Sequence, residues 1–247
     1  MDLTAYLDVL QSTDSEPEQV HVGDERPPHK GLTKLVLKAP AGLRPSMRKA
    51  QTALTWASMP VSSRRARSRL GSHPGPRLHL GCGRIALDGW VNVDLFGSRA
   101  DLVWDLRRPI PFPDGSASAV FHEHLLEHLP VPVAVGFLRE CRRVLAPGGI
   151  LRVVVPDFEK YMRSYVDGSA FIDSIRPDRP TSLLAIEEIV YGYGHKSMWD
   201  GATLLMVLGE VGFEGARVRA YGDSDIQPAP DSSHRQIESL YVEARRP

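Results

Sequence analysis

The stretch Arg77-Leu-His-Leu-Gly-Cys-Gly-Arg-Ile-Ala-Leu-Asp-Gly-Trp-Val-Asn-Val-Asp-Leu95 narrows the folds open to this chain more than any other. Leu78 and Leu80 alternate with polar neighbours and run into Gly81-Cys82-Gly83. That is the pattern of a buried strand stopping in a tight turn where backbone can approach a ligand. Val91 and Val93 then rebuild a strand that ends on Asp94. In an α/β sheet, an acid at the end of the second strand is placed to accept hydrogen bonds from ribose hydroxyls bound across the first glycine turn.

Spacing decides what kind of nucleotide this is. Six residues, Arg84 to Gly89, separate the glycine turn from the second strand. A dinucleotide site wants Gly-x-Gly-x-x-Gly opening a long helix whose N-terminus holds the pyrophosphate. This chain has neither the third glycine nor room for that helix, so a ribose ligand without phosphates fits better. S-adenosylmethionine is a ligand of that kind.

Downstream the pattern continues in order. Asp101-Leu-Val-Trp-Asp105-Leu106 is a third short apolar run ending in an acid, and Ala119-Val-Phe121 is a fourth strand, reached through the surface turn Asp114-Gly115. Leu125-Leu126-Glu127-His128-Leu129 follows, then a helix containing Cys141 and Val144-Leu145, then Pro147-Gly-Gly149 and a fifth strand over Ile150 to Val155. A helix is expected from Phe158 to Val166 and another from Ala202 to Val211, capped by Asp200. Terminal strands are expected near Ala216 to Tyr221 and Ser239 to Ala244.

From Leu78 to Phe213 this ordered series resembles the class I S-adenosylmethionine-dependent methyltransferases, in particular a small branch with Leu-x-Leu-Gly-Cys-Gly, Gly-Trp-x-Asn-Val-Asp, Leu-Glu-His, Arg-Val-Leu-x-Pro-Gly-Gly and Val-Pro-Asp. The resemblance implies an α/β fold, a Rossmann-like seven-stranded sheet with helices on both faces, preceded by an N-terminal helical extension. It implies a methyltransferase that takes S-adenosylmethionine, held by Gly81, Cys82, Gly83, Asp94, Leu95, Asp105, Leu106 and His122. Asp105 matches the position whose acid faces the adenine amino group, and the next backbone amide, at Leu106, faces the ring. His79 departs from the many members that carry an acid early in this motif.

The same resemblance directs attention to the acceptor. An insertion from Gly168 to Gly194 holds Pro177, Pro180 and Tyr191-Gly-Tyr-Gly194, and leads into His195-Lys-Ser-Met-Trp-Asp200. Loops on a rigid scaffold usually carry specificity, so Tyr191, Tyr193, Lys196 and Trp199 are acceptor-site candidates, with Glu123 at the end of the fourth strand. Methyl transfer to a hydroxyl needs alignment and removal of one proton, for which an imidazole is suited. His195 is the first candidate base and His124 the second. A sugar or natural-product hydroxyl is the expected acceptor, as a small molecule or glycan.

His124, Glu127 and His128 also form His-x-x-Glu-His, which on a helix can bind zinc with the Glu as base. A zinc metallohydrolase is therefore one alternative, although Pro130 and Pro132 leave room only for a short helix. A regulatory protein that binds S-adenosylmethionine without turnover is another. No metal is assigned from the sequence.

Charge marks the boundary of the N-terminal extension over residues 1–75, expected to be partly helical or flexible; the catalytic domain is placed over 76–247, with the acceptor insertion at about 168–198. Met1 to Glu25 holds acids and no Lys or Arg, whereas Arg26 to Leu87 holds no acid and accumulates Lys30, Lys34, Lys38, Arg48, Lys49, Arg64, Arg65, Arg67 and Arg69. Leu3, Tyr6, Leu7 and Leu10 fall at helical spacing, as do Leu43, Met47, Ala50, Leu54 and Ala57. The second of these helices could cover the cofactor cleft or pair two subunits in a homodimer. The basic run could attract nucleic acid, a reading not favoured over mutual neutralisation with the acidic leader. Two cysteines give no disulfide framework, no apolar run reaches membrane-span length, and no signal layout stands at the N-terminus, so a cytoplasmic location is expected.

Overall fold

The computed structural model describes residues 75–95 and 99–247, together with Ala50, Ala53 and Trp56, which are helical. The expected helix over 3–10 lies outside the described residues, as does most of the one over 43–57.

Seven strands form one sheet in the order β3-β2-β1-β4-β5-β7-β6. The strands are β1 (Arg77–Leu80), β2 (Trp90–Asp94), β3 (Leu102–Val103), β4 (Ala117–Glu123), β5 (Leu145–Pro156), β6 (Glu214–Arg219) and β7 (Ser239–Arg245). The first five pair in parallel, and β7 runs antiparallel between β5 and β6. Chain order reverses between β1 and β4, the switch point beside which α/β sheets bind ligands at the strands' carboxyl ends. The fifth strand starts earlier than Ile150. Its pairing shifts between Ala117 and Ala119, so Pro147-Gly-Gly149 is absorbed as an irregularity and does not end the strand.

Alternation along the strands sorts the two faces. Leu78, Leu80, Val93, Val120, Leu151, Val153 and Val155 share a core with Phe137, Leu138 and Cys141 of α1 (Val131–Val144) and with Leu204 and Leu208 of α5 (Gly201–Val211). Phe121, Val154 and Tyr241 point the other way and meet Leu87, Trp90 and Tyr221. Arg152 is on that second face too, fully buried. Its guanidinium pairs with Asp231 (Nε–Oδ1 3.0 Å, Nη2–Oδ2 2.6 Å) and donates to the carbonyls of Asp223 and Ala220, which pins the loop between β6 and β7 to the sheet.

The insertion is helical: α2 (Phe158–Asp167) precedes it, and it holds α3 (Phe171–Ile175), α4 (Ser182–Glu187) and a π turn over Glu188–Gly192. With α2 it forms a small core of Tyr161, Ile172, Ala185, Ile186 and Ile189. Helix α5 starts where expected, because the Asp200 carboxylate accepts from the Thr203 amide at 2.7 Å. Among the described residues no helix is long and apolar enough to cross a membrane.

Candidate functional site

Turns after β1, β2, β3 and β4 converge at the carboxyl edge of the sheet. Gly81 (φ +74°) and Gly83 (φ +51°) occupy the left-handed region, which a side chain disfavours. The amides of Gly81 and Cys82 donate to the Val93 carbonyl at 2.8 and 3.1 Å, and the Gly83 amide donates to Asp94 Oδ2 at 2.8 Å. The turn is thus folded against the end of β2, with its predicted acid attached. A Cβ at Gly81 would stand 2.9 Å from Leu125 Cδ1, whereas one at Gly83 would meet nothing within 4 Å among the described residues. Gly81 is therefore sealed by the segment after β4 and Gly83 is open, with Asp94 beside it. That open backbone next to an acid fits the ribose side of S-adenosylmethionine, with Leu95 half-buried alongside. Cys82 is no nucleophile: burial, then Asp94 and Asp101, push its thiol up to about 12.

Asp105 is buried and already engaged. Arg107 grips both carboxylate oxygens (2.8 and 2.7 Å), and the indole N–H of Trp56 donates to Oδ2 at 2.8 Å. Burial acts to raise this carboxyl, but the hydrogen bonds from Arg107 and Trp56 prevail and hold it below the usual carboxylate range. Arg108 lies over the Trp56 ring at 4.4 Å. Nothing local in the sequence pointed to Trp56. Leu106 is part of the core.

Two histidines are structural. His79 sits beneath the turn, with Nδ1 3.1 Å from Asn92 Oδ1 and its ring 5.0 Å from Phe121. His122 was expected to touch the cofactor; the structure corrects this. It is fully buried on the helix-covered face, edge-on to Phe137 at 5.2 Å, and neither ring nitrogen has a hydrogen-bond partner among the described residues. Glu123, expected at the acceptor, instead takes the amide (3.1 Å) and hydroxyl of Ser232 and so anchors the loop before β7.

His124 has φ +49°, the one positive value for a non-glycine among the described residues. Such backbone strain persists where surroundings over-determine it. Here Nε2 meets Ser239 Oγ at 2.9 Å and Nδ1 meets the Arg235 guanidinium. With both nitrogens held, His124 is poorly placed as a base. It also leaves the His-x-x-Glu-His geometry: the chain after it forms a single 3₁₀ turn, Leu126–His128, with no helix to line up His124 and His128. His124 Nδ1 does lie 3.5 Å from Glu127 Oε1. Burial drives the imidazole well below its ordinary range and Glu127 up to about 8, so both are held in their neutral forms.

The 3₁₀ turn meets a distant segment. The amides of Lys196 and Ser197 donate to the Glu127 carbonyl at 2.7 and 3.1 Å, and Ser197 Oγ donates to the carbonyls of Leu129 (2.9 Å) and Leu126 (3.3 Å). Trp199, predicted to contact the acceptor, is 2% exposed and donates to Ser197 Oγ at 2.9 Å, so it buttresses this junction from the core. His195 is consequently placed against His128, ring centroids 4.8 Å apart, and 5.8 Å from Tyr193. Burial, then His128, lower its pKa to about 4. The Tyr193 hydroxyl is drawn to Glu188 at 3.1 Å. Tyr191 and Lys196 are exposed. Glu127, His128 and His195 each offer a ligand atom, all within 4.8 Å of one another.

Residues 96–153 match a family model described as a methyltransferase domain. Among solved structures, the fold is similar to a methyltransferase from Archaeoglobus fulgidus (15% identity, 76% of this chain and 94% of that one, TM-score 0.44). It is similar too to one from Aquifex aeolicus (13%, 75% and 89%, 0.43) and to phosphoethanolamine N-methyltransferase 2 of Haemonchus contortus, solved with S-adenosylmethionine (14%, 75% and 52%, 0.44). No curated protein matches. With TM-scores below 0.5, none of these proteins' substrates transfers to this chain. The family match begins just before β3 and ends within β5, in the parallel part of the sheet that carries the glycine turn and its acid, so this stretch of the chain is similar to a methyltransferase domain.

Proposed function

We propose that this domain methylates a hydroxyl of a sugar or natural product, with Gly81 to Gly83, Asp94, Leu95, Asp105 and the Leu106 amide on the cofactor side and the His195 segment on the acceptor side. Bound S-adenosylmethionine supplies a methyl carbon on a sulfonium; on transfer an O–C bond forms, a C–S bond breaks, and the hydroxyl proton is left for a histidine. The observation that carries this reading is the seal between Leu125 and Gly81. Leu125 leads into the turn that bears Glu127 and His128, and the Glu127 carbonyl, which accepts from the amides of Lys196 and Ser197, ties the His195 segment to that turn. Of the two histidines, His195 is the better base, because both nitrogens of His124 are engaged. A ring kept neutral at pH 7 can accept a proton, and neighbouring Tyr193, Tyr191 and Lys196 supply a surface for a polar acceptor. A homodimer through the N-terminal extension and a cytoplasmic location remain part of this reading.

The test is turnover of S-adenosylmethionine to S-adenosylhomocysteine against a panel of hydroxylated acceptors. His195→Ala should retain affinity for S-adenosylhomocysteine and lose at least 100-fold in kcat, within the usual range for a general base. Unchanged kcat would remove His195 from the chemistry.

A further inference from the structure

We infer that Glu127, His128 and His195 form a binding site for a divalent transition-metal cation of the manganese-to-zinc class, at which the acceptor hydroxyl is bound and activated. The inference rests on the reading of this surface as the acceptor side of a methyltransferase.

Three observations converge. The first is the donor set. Two imidazoles and one carboxylate present ligand atoms within 4.8 Å of one another, from segments 67 residues apart in the chain. Around a cation with bonds of about 2.1 Å, tetrahedral donors sit about 3.4 Å apart. His128 is the exposed member of the set. The second is the state of Glu127. It is 2% exposed, yet neither carboxylate oxygen has a hydrogen-bond partner among the described residues. A buried carboxyl with unsatisfied oxygens is a natural place for a bound ion, and the groups nearest to it include the imidazole of His124 on one side, 3.5 Å from Oε1, and those of His128 and His195 on the other. The third is preorganisation. The Glu127 carbonyl takes two amides from the 196–197 backbone, Ser197 and Trp199 lock that backbone to the 3₁₀ turn, and the His195 side chain is hydrogen-bonded to the backbone of Ile189. Metal-bound histidines regularly use their second nitrogen in this way.

The donor chemistry selects the ion. Two imidazoles with one carboxylate suit manganese, iron, cobalt or zinc, whereas magnesium and calcium prefer oxygen ligands. Three protein ligands leave coordination positions open, which is the catalytic rather than the structural pattern. An acceptor hydroxyl entering an open position is polarised, its proton leaves to solvent, and the oxygen forms the O–C bond as the C–S bond of the methyl donor breaks. Loaded with the cation, His195 acts on the acceptor as a ligand and no longer takes its proton; unloaded, it keeps the role of base proposed above. The surrounding charge is mixed, with Arg235 and Arg176 opposed by Glu238 and Glu123.

The experiment is titration of the chelator-treated full chain with CoCl₂, read by visible absorption, and with MnCl₂ and ZnCl₂ by calorimetry, with S-adenosylhomocysteine titrated in parallel. One equivalent of cation at micromolar strength is expected, with His128→Ala and Glu127→Gln each weakening it at least tenfold while circular dichroism stays native. Because His128 is exposed, its variant keeps the test valid even if Glu127→Gln fails to fold. Absence of cation binding, or unaltered binding by His128→Ala, overturns the site. Should S-adenosylhomocysteine still bind in that case, the methyltransferase reading stands without the cation; failure of both titrations removes that reading as well.

Discussion

Asp94 is the residue whose position was legible in advance. A strand of alternating valines ending in an acid, eleven residues past a glycine turn, leaves few places for that carboxylate, and the structure puts it on the Gly83 amide at 2.8 Å. Asp94→Ala therefore removes a brace of the turn and, on the function proposed above, a charge-assisted contact to ribose. It should weaken S-adenosylhomocysteine binding by about 1.5–3 kcal/mol, roughly 10- to 100-fold. Calorimetric titration checks this, and a folded variant binding as tightly as wild type would remove Asp94 from the site. Other site residues were invisible to inspection. Trp56 reaches Asp105 across 49 positions and Arg235 reaches His124 across 111. Neither belongs to a local pattern, and long-range pairing of single side chains leaves no periodicity to read. Trp199 and His122 misled for the converse reason: a side chain beside a functional segment can as well face the core.

Among the elements, β1 and β4 carry a cost that sequence periodicity hides. His79 and His122 occupy buried strand positions, on opposite faces, and burial lowers their pKa values to about 4 and about 3. Both stay neutral in the folded chain at pH values where the unfolded chain, with pKa near 6.5, already binds protons. Stability is therefore fully present above pH 6.5 and is lost as pH falls, down to the folded values. Each ring contributes a slope of about 1.4 kcal/mol per pH unit well below pH 6.5. Denaturant midpoints measured from pH 7.5 to 5 should fall accordingly. His122→Leu, which exchanges an unpartnered ring for an apolar side chain, should lower the slope by about that amount below pH 6; an unchanged slope would mean His122 is not buried neutral. Strand and helix positions themselves were readable, from Phe158 into α2 and from the Asp200 cap into α5. Helices α3 and α4 were not, because short segments cohering around Tyr161 and Ile172 lack the length over which helical spacing shows.

For the molecule as a whole, the sheet and its switch point were legible because they repeat one unit, strand then turn then acid, several times in order. The second face was not, since it depends on a single buried cation. Arg152 is fully buried against an Asp231 that is equally enclosed. Arg152→Met strands that carboxylate and should cost about 3–5 kcal/mol in chemical denaturation. Adding Asp231→Asn should recover part of the loss, since the two side chains form one pair; a loss under about 1 kcal/mol would show that the loop is held by other means. The order β5-β7-β6 carries its own mechanical meaning. Among the described residues β6 pairs with β7 alone, and the Arg219–Glu243 ion pair ties the same two strands, so load on that edge passes to the rest of the sheet through one strand. The same strand and its approach carry Ser239 and Arg235, which hold the two ring nitrogens of His124, so the outer margin of the sheet and the histidine turn hang on one strand.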